Sequence, residues 1–371
     1  MTQWIWQQSN WPHFYWDDSQ LISLLTETSY LQGRLTAIAE QLSQTQQQEA
    51  LAEVLIHDVI QTSAIEGEML SLAKVRSSIA RRLGIPQANF EPLMDNEGIV
   101  DITLDALQHR QSPLTFERLC GWHAALFPTG YSGLYKIIVG QLRGEAAMQV
   151  VSGPIGKERL HFEAPPRQGL EKELDAFLTW FNPSLATTQG FIRAAVAHLW
   201  FVTLHPFEDG NGRLARAITD LGLAQSEPQT LRLYSMSREI QRQRDDYYRI
   251  LEETSKGDLE ITEWLAWFLR CLSEAMRQSE KLIQQVLQKA LFWHSHSQTI
   301  LNARQCKILN RLLDAGTEGF EGGMNTRKYA SLGRISKVTA SRELIDLLNK
   351  GCLVKKPGAG RSTAYEIKWI K

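Results

Sequence analysis

Apolar residues recur at intervals of three and four along most of the chain, whereas strict alternation of apolar and polar residues is scarce. The first spacing follows one face of a helix, and the second follows one face of a strand. Residues 49–67 have the helical spacing and end at Gly67, a residue that suits a helix C-terminus. Residues 191–204 are apolar on nearly every side, which is typical of a buried central helix. The body of the chain is therefore predicted to be mainly helical.

Residues 137–163 are an exception within this helical body. They combine short runs of β-branched residues with several glycines, and two prolines follow closely. This composition is typical of a β-hairpin. We therefore predict a hairpin over this segment, between helices on either side.

The N-terminus is rich in tryptophan, with Trp4, Trp6, Trp11 and Trp16 in its first 16 residues. A row of aromatic rings can form a stacking platform for nucleic-acid bases. Large aromatic side chains near a terminus more often dock that terminus onto the rest of the protein, because they bury a large apolar area. We therefore interpret these tryptophans as packing residues.

The last part of the chain has the pattern of a small separate domain. Within residues 334–368, a helical pattern stops at Gly351, and two short strands are predicted around the turn GAGR at 358–361. The apolar residues of this helix are Val338, Leu344, Leu347 and Leu348. The arrangement resembles a winged helix. The residues predicted to face outward on its recognition helix are Ser336, Lys337, Thr339, Ser341 and Arg342, with Arg361 at the tip of the wing.

Charge is distributed unevenly between the body and this C-terminal part. Residues 302–371 contain 14 Lys and Arg residues against 6 Asp and Glu residues, a net charge of +8, which leaves −9 for the rest of a chain whose total is −1. A basic module on an acidic body makes nucleic acid a candidate partner of the module alone. Winged helices also dock onto proteins, so DNA and protein both stay open as partners of residues 302–371.

Composition indicates a globular protein, with 43% hydrophobic and 22% charged residues. No stretch reaches the roughly 18 apolar residues of a membrane span, and the N-terminus lacks the basic and apolar regions of a signal peptide. The cysteines lack the CxxC spacing of a zinc cluster and are too widely spread for a disulfide framework. They are Cys120, Cys271, Cys306 and Cys352. We therefore expect a cytoplasmic protein without membrane contact.

The segment HPFEDGNGRLAR, residues 205–216, lies between two predicted helices. A glycine-flanked loop that opens a helix directs several unpaired backbone N–H groups at one point, where the helix dipole favours an anion. Gly210 and Gly212 permit close backbone approach and positive φ. Arg213 and Arg216 extend two guanidinium groups from one face of the new helix. Together these features predict a polyphosphate site.

Two further residues of the segment complete the predicted chemistry. Asp209 would repel a phosphate unless it held a divalent cation, as carboxylates do for Mg²⁺ beside phosphate oxygens. His205 is suited to accept a proton near neutral pH, since its unperturbed pKa is about 6.5. Phe207 is expected to anchor the loop in the core. A lone histidine or a DGNG turn would be an ordinary surface feature, and it is the combination that indicates a site.

These residues match the pattern HxFx(D/E)GNGRxxR of the Fic family at every fixed position, so the chain resembles Fic proteins. The resemblance implies a helical Fic domain that transfers AMP from ATP to a protein hydroxyl. By this resemblance His205 deprotonates the hydroxyl, and Asp209 holds Mg²⁺. The implied catalytic residues are His205, Asn211 and Arg213. The implied ATP-binding residues are Glu66, Gly210, Asn211, Gly212, Arg213, Arg216 and Tyr248, with Tyr247 as a weaker candidate.

The resemblance extends beyond the motif. Residues 137–163 occupy the place of the Fic flap, which aligns the target by strand addition. Upstream, TSAIEG at residues 62–67 resembles the inhibitory pattern (S/T)xxxE(G/N), so Glu66 is implied to pair with Arg216 and to hold ATP in an unproductive pose. The implied domains are an N-terminal helical region with the inhibitory helix (1–90), a Fic domain (91–280) and a winged-helix-like domain (281–371).

Two classes of function follow. The complete motif favours a protein adenylyltransferase that modifies Ser, Thr or Tyr of target proteins or of itself, with ATP as substrate and Mg²⁺ as cofactor. The alternative is a nucleotide-sensing transcriptional regulator that binds DNA, which would have no need of His205. Removal of AMP from modified proteins is a variant within the enzyme class. The sequence leaves the target, the accepting residue type and a homodimer open.

Overall fold

α-Helices make up most of the chain in the computed structural model, which describes residues 3–86, 91–92, 97–154, 156–157, 159–183, 188–227, 232–316, 320, 322–356 and 363–369. After a short 3₁₀ turn (Ile5–Gln7), the helices are α1 (Asp18–Glu40), α2 (Gln44–Ile65), α3 (Leu72–Leu83), α4 (Gly98–Gln108), α5 (Phe116–Leu126), α6 (Leu170–Phe181), α7 (Gly190–Leu204), α8 (Asn211–Ser226), α9 (Met236–Arg242), α10 (Arg244–Ser255), α11 (Thr262–Ser295), α12 (Ala303–Asp314), α13 (Thr326–Gly333) and α14 (Lys337–Asn349). The strands are β1 (Tyr131–Ser132), β2 (Tyr135–Lys136), β3 (Gln149–Ser152), β4 (Arg159–Glu163), β5 (Leu353–Lys355) and β6 (Tyr365–Ile367), paired as three antiparallel two-stranded sheets. The mainly α fold class is confirmed.

The chain divides into two compact units. The first comprises Met1–Gln41 and Gln47–Ser279, and the second comprises Leu42–Gln46 and Glu280–Lys371. The boundary falls within α11. The three-part division expected from the sequence stays a prediction. Among the described residues, none of the helices combines the length and the apolar character that a membrane span requires.

The centre of the first unit is the pair α7 and α8. Of α7, 13 of 15 residues are buried, and of α8, 12 of 16, which confirms that the all-round apolar segment 191–204 is a central helix. The two helices approach closely at Gly222, where an added Cβ would lie 3.4 Å from Ala194. Helices α4, α5 and α6 contribute to the same apolar core. The loop 205–210 that joins α7 to α8 is therefore held by a rigid helix pair.

The predicted hairpin over 137–163 is correct only in its second half. Strands β3 and β4 pair in antiparallel register, with Gln149 opposite Glu163 and Ser152 opposite Arg159, and we call this pair the flap. Residues 137–148 contain no strand. The backbone N–H groups of Ile138, Gly140 and Arg143 instead donate to Glu208, His123 and Pro206. These donors are thus unavailable to a strand ladder.

The N-terminal tryptophans pack against the flap and the core. Trp4 is buried and meets Phe162 of β4 edge to face, with ring centroids 5.5 Å apart. The indole Nε1 of Trp6 donates to the Glu163 carbonyl at 2.7 Å. The packing interpretation therefore holds for Trp4 and Trp6.

The second unit contains α12, α13 and α14 with the β5–β6 pair, packed around their own apolar core. The predicted helix is present as α14, and Gly351 follows it with φ +72°. Val338 does not join the core, since it is 64% exposed. Ser336, Lys337 and Arg342 are exposed as expected, whereas Thr339 and Ser341 are half-buried. The GAGR turn and Arg361 lie outside the described residues, and the winged-helix assignment stays a prediction.

Candidate active site

The loop between α7 and α8 is shaped by backbone conformation and by one asparagine. His205 ends α7 in the left-handed region (φ +48°, ψ +56°), and Gly210 precedes α8 with φ +77°. The Asn211 side chain accepts from the Phe207 N–H at 3.0 Å and donates to the Phe207 carbonyl at 2.8 Å. Phe207 is buried and stacks on His123 at 4.3 Å, which anchors the loop as expected. Asn211 thus contributes by fixing the loop rather than by presenting its amide outward.

The hydrogen bonds of His205 define which ring nitrogen is available. Its Nδ1 lies 2.9 Å from the Val202 carbonyl oxygen, which can only accept, so Nδ1 carries the proton. Nε2 therefore has a free lone pair. Burial lowers the pKa of His205, the Val202 carbonyl partly opposes this, and the Arg143 charge lowers it further. The imidazole is neutral at pH 7 and can accept a proton at Nε2.

The two carboxylates of the loop have different partners. Glu208 accepts the Ile138 N–H at 2.8 Å and so holds the segment that leads into the flap. Asp209 lies at the start of α8, where it accepts the Gly210 N–H at 2.5 Å and the Ser132 hydroxyl. The described residues contain no group of three or more His, Cys, Asp or Glu residues that could hold a metal ion. A single carboxylate still fits Mg²⁺, which takes most of its ligands from phosphate and water.

Arg216 is buried and tied to the end of α2. Its Nη2 lies 2.7 Å from Glu66 Oε1 and 3.0 Å from the Thr62 carbonyl, and its Nε donates to Thr62 Oγ1 at 2.7 Å. Burial alone would lower the pKa of Arg216, but the Glu66 carboxylate, together with Tyr247 and Tyr248, outweighs it and the pKa is raised. The remaining Nη1 is buried without a partner in the described part of the chain.

The Glu66 carboxylate also lies on the first turn of α8. A Cβ at residue 212 would collide with Glu66 Oε1, so glycine is what allows the carboxylate to come this close. A helix N-terminus favours a negative group at this point. Glu66 therefore occupies the position at which the sequence predicts a phosphate.

Arg213, the other arginine of the motif, faces a second carboxylate. Its Nη1 lies 3.3 Å from Glu68 Oε2, and its guanidinium lies 5.1 Å from the Phe127 ring centroid. The Glu68 side chain is 46% exposed, against 33% for Glu66. Both motif arginines thus have acidic partners from the segment that follows α2.

Helix α10 contacts the same segment from another side. Tyr248 Oη donates to the Ile65 carbonyl at 3.3 Å, and Arg244 Nε donates to it at 3.0 Å. Tyr247 is buried instead, with its hydroxyl 2.9 Å from His198 Nε2. Tyr248, 40% exposed, is the better placed of the two predicted tyrosines to meet a ligand.

The structure gathers the predicted site residues in one place, and it adds others. Arg143, Arg244, Glu68 and Ser132 all contact motif residues or the end of α2. Arg143, Arg244 and Ser132 are far along the chain from their partners, and no sequence motif includes them. Glu68 could have been found from the sequence, because it lies two positions after Glu66.

An imidazole with a free Nε2 thus lies next to a helix N-terminus, which favours anions. Similarity to known proteins gives the class of this part of the chain. Residues 113–223 match the Fic/DOC family, and residues 4–85 match a domain of unknown function (DUF4172). Residues 113–223 are a Fic domain.

The chain is similar to the protein adenylyltransferase Fic of Nematostella vectensis, 24% identical over 231 residues, which cover 60% of this chain and 48% of that protein. It is also similar to the protein adenylyltransferase fic-1 of Caenorhabditis elegans, 26% identical over 208 residues that cover 54% and 37% of the two chains. The chain thus spans less than half the length of these relatives. A crystal structure of a Fic family protein from Desulfovibrio desulfuricans G20 shares the fold, with a TM-score of 0.54, 18% identity and coverage of 94% and 96%.

Proposed function

We propose that this chain is a protein adenylyltransferase that transfers AMP from ATP to a hydroxyl of a Ser, Thr or Tyr side chain, on a target protein or on itself. The names of the relatives support this activity at the level of the family. The observation that carries the proposal is the pairing of a neutral imidazole, its Nε2 free, with a helix N-terminus flanked by two arginines. General-base and phosphate-binding groups are thus neighbours.

In the proposed reaction His205 Nε2 takes the proton of the acceptor hydroxyl as its oxygen bonds to the α-phosphorus. The bond from the α-phosphorus to the bridging oxygen breaks, and pyrophosphate leaves. The backbone N–H groups of Asn211 and Gly212 stabilise the charge that develops, as preorganised donors do, whereas the Gly210 N–H donates to Asp209. Arg213 and Arg216 bind the β- and γ-phosphates. Mg²⁺, when bound at Asp209, would neutralise phosphate charge.

We further propose that Glu66 holds the enzyme inhibited. Its carboxylate pairs with Arg216 and covers the first turn of α8, so it competes with phosphate for both. A charge-assisted hydrogen bond of this type contributes about 1.5–3 kcal/mol. An intramolecular partner is also present at high effective concentration. ATP then lacks its γ-phosphate contact and cannot settle for in-line attack.

Replacement of Glu66 by glycine is expected to raise AMP transfer strongly, because Arg216 becomes free for the γ-phosphate. The measurement is incorporation of labelled AMP with ATP and Mg²⁺, in wild type and in Glu66→Gly. His205→Ala in the Glu66→Gly background should lower transfer by about 10²–10⁴ while ATP still binds. Arg216→Ala should not activate, since it removes the partner of both groups. Equal activity of wild type and Glu66→Gly would contradict the inhibitory role of Glu66.

A further inference from the structure

Arg143 connects three parts of the candidate site, although no motif includes it. Its side chain is buried, with Nε donating to the His205 carbonyl at 2.9 Å and Nη2 donating to the Pro165 carbonyl at 2.6 Å. Its own N–H donates to the Pro206 carbonyl at 2.9 Å. One residue thus links the start of the motif loop to the chain on both sides of the flap.

The backbone conformation of His205 makes this contact important. A non-glycine residue in the left-handed region costs about 1 kcal/mol and persists only where its surroundings hold it. The Arg143 guanidinium donates a hydrogen bond to the His205 carbonyl, and the Val202 carbonyl accepts one from the His205 imidazole. Loss of the first contact would allow the loop, and the imidazole with it, to turn.

Arg143 also carries a charge that no hydrogen-bonded carboxylate balances, although the nearby Glu145 charge favours it. Within the described part of the chain no carboxylate forms an ion pair with it, and its acceptors are carbonyl oxygens. A guanidinium stays protonated even when buried. The charged groups that act on His205 are Arg143, which opposes protonation, and Glu66 and Asp209, which favour it. Among the described residues, Arg143 is therefore a cation that opposes the effect of these acidic groups on the base.

We propose that Arg143 is a positioning residue for the transfer reaction, holding the His205 carbonyl and thereby the imidazole, with its own charge close to that base. The inference rests on the proposed function for its catalytic consequence, but the placement and protonation of His205 are testable without it.

The test compares Arg143→Gln, which keeps a donor but loses the charge, with Arg143→Lys, which keeps the charge but loses the two-pronged contact. Both are made in the Glu66→Gly background. Arg193→Gln is the matched control, because Arg193 is also buried and donates to the carbonyls of Phe181 and Gly222. The readouts are kcat and KM for AMP transfer against pH, and the NMR titration of the His205 imidazole in the absence of ATP.

Arg143→Gln is expected to move the His205 titration, and the acidic limb of the kcat profile, to higher pH. Since the neutral imidazole is the active form, activity is lost as pH falls through its pKa, and a raised pKa brings that loss to higher pH. We also expect kcat to fall by about 10–100-fold, with KM for ATP little changed, because a displaced base affects the chemical step. Arg143→Lys should keep the titration near that of the parent and still lower kcat. Arg193→Gln should change neither.

An unchanged titration and kcat in Arg143→Gln would overturn the proposal, as would identical effects of Arg143→Gln and Arg193→Gln. If Arg143→Gln does not fold, Arg143→Lys decides the positioning role, and a kcat equal to that of the parent would refute it. If Glu66→Gly itself transfers no AMP, the proposed function fails, whereas the titration still tests what Arg143 does to His205.

Discussion

At the scale of single residues, Glu66 and Glu68 each form an ion pair with one arginine of the motif, and the two pairs differ in distance and exposure. The Arg216 side chain is only 3% exposed, and Arg216 bonds Glu66 at 2.7 Å. Arg213 bonds Glu68 at 3.3 Å, and these two side chains are 11% and 46% exposed, against 3% and 33% for Arg216 and Glu66. Exposed ion pairs contribute about 0–1 kcal/mol because water screens them, whereas hydrogen bonds to buried charges contribute more. Under the proposed inhibition, we therefore expect Glu66 to make the larger contribution and Glu68 a smaller one.

Glu68→Ala in the Glu66→Gly background is expected to tighten ATP binding by no more than about fivefold, which corresponds to the upper end for an exposed pair. Titration calorimetry with ATP measures this change. Glu53→Ala serves as the control, since Glu53 forms an exposed ion pair with Arg76 and lies on α2. Weaker ATP binding in Glu68→Ala would show that Glu68 assists the nucleotide instead of competing with it.

At the scale of elements, the flap is fastened to α10 through one carboxylate. Glu252 accepts from His161 Nδ1 at 2.6 Å and from Arg159 at 2.8 Å, and it also pairs with Lys256. Burial would raise the pKa of Glu252, but these partners outweigh it and lower the pKa to about 2. The contact fixes β4, and β3 is left as an exposed edge strand. An edge of this kind can pair with an extended segment of a target.

Glu252→Gln is expected to loosen the flap and to raise KM for a protein target several-fold, while the affinity for ATP stays unchanged. The reason is that a neutral amide keeps the shape but loses the charge that holds Arg159 and His161. Steady-state kinetics in the Glu66→Gly background provide the measurement. Glu253→Gln is the control on the same helix, because Glu253 pairs only with exposed Arg249 in the described contacts. A change in ATP affinity without a change in target KM would contradict this role.

At the scale of the whole molecule, buried neutral histidines make stability depend on pH. Burial lowers the pKa of His198 to about 3 and of His123 to about 4. His198 bonds Thr219 and Tyr247, and His123 Nδ1 accepts the Gly140 N–H. The unfolded chain binds protons at both imidazoles below about pH 6.5, whereas the folded chain does not. Stability is therefore lost as pH falls below that value.

Each of these histidines should add a slope of about 1.4 kcal/mol per pH unit to the free energy of unfolding between about pH 6 and pH 4. Thermal unfolding across this range measures the slope. His198→Gln should be less stable at pH 7 but should lose stability less steeply on acidification. His13→Gln, at an exposed position, should follow the wild type. An unaltered slope in His198→Gln would mean that this imidazole is already charged in the folded protein.

The second unit exposes a mixed surface on α14. Lys337 and Arg342 lie beside Val338 and Ile345, which are 64% and 49% exposed. With a net charge of +8 over residues 302–371, DNA and a protein both stay open as partners of this surface, and only DNA binding would depend steeply on salt concentration. Gel shifts at several salt concentrations give the slope of log K for DNA against log salt concentration. If DNA binds, this slope should fall by about two units when Lys337 and Arg342 are both replaced by glutamine. Absence of any shift at low salt would favour protein docking instead.

Much of this protein follows from local sequence alone. The helical periodicity predicts α2 and α7, because the spacing of apolar residues along a helix is a local feature of the sequence. The HPFEDGNGRLAR segment predicts the helix α8 and the phosphate site, since glycine conformations and helix N-termini are local features. The inhibitory pattern also points to Glu66, though only through its resemblance to other sequences.

Tertiary structure decided what local sequence could not. Strand pairing depends on which backbone donors remain free. Donors within residues 137–148 bond to the motif loop instead, as Ile138 does to Glu208, so the hairpin starts at β3. The partners of Arg143, Arg244 and Glu252 are 62, 179 and 91 residues away along the chain, and no spacing rule connects them. The protonation of His205 likewise depends on burial and on charges from other segments. Such contacts arise only when the fold brings distant parts of the chain together, as α7 and α8 do for those around the α8 N-terminus.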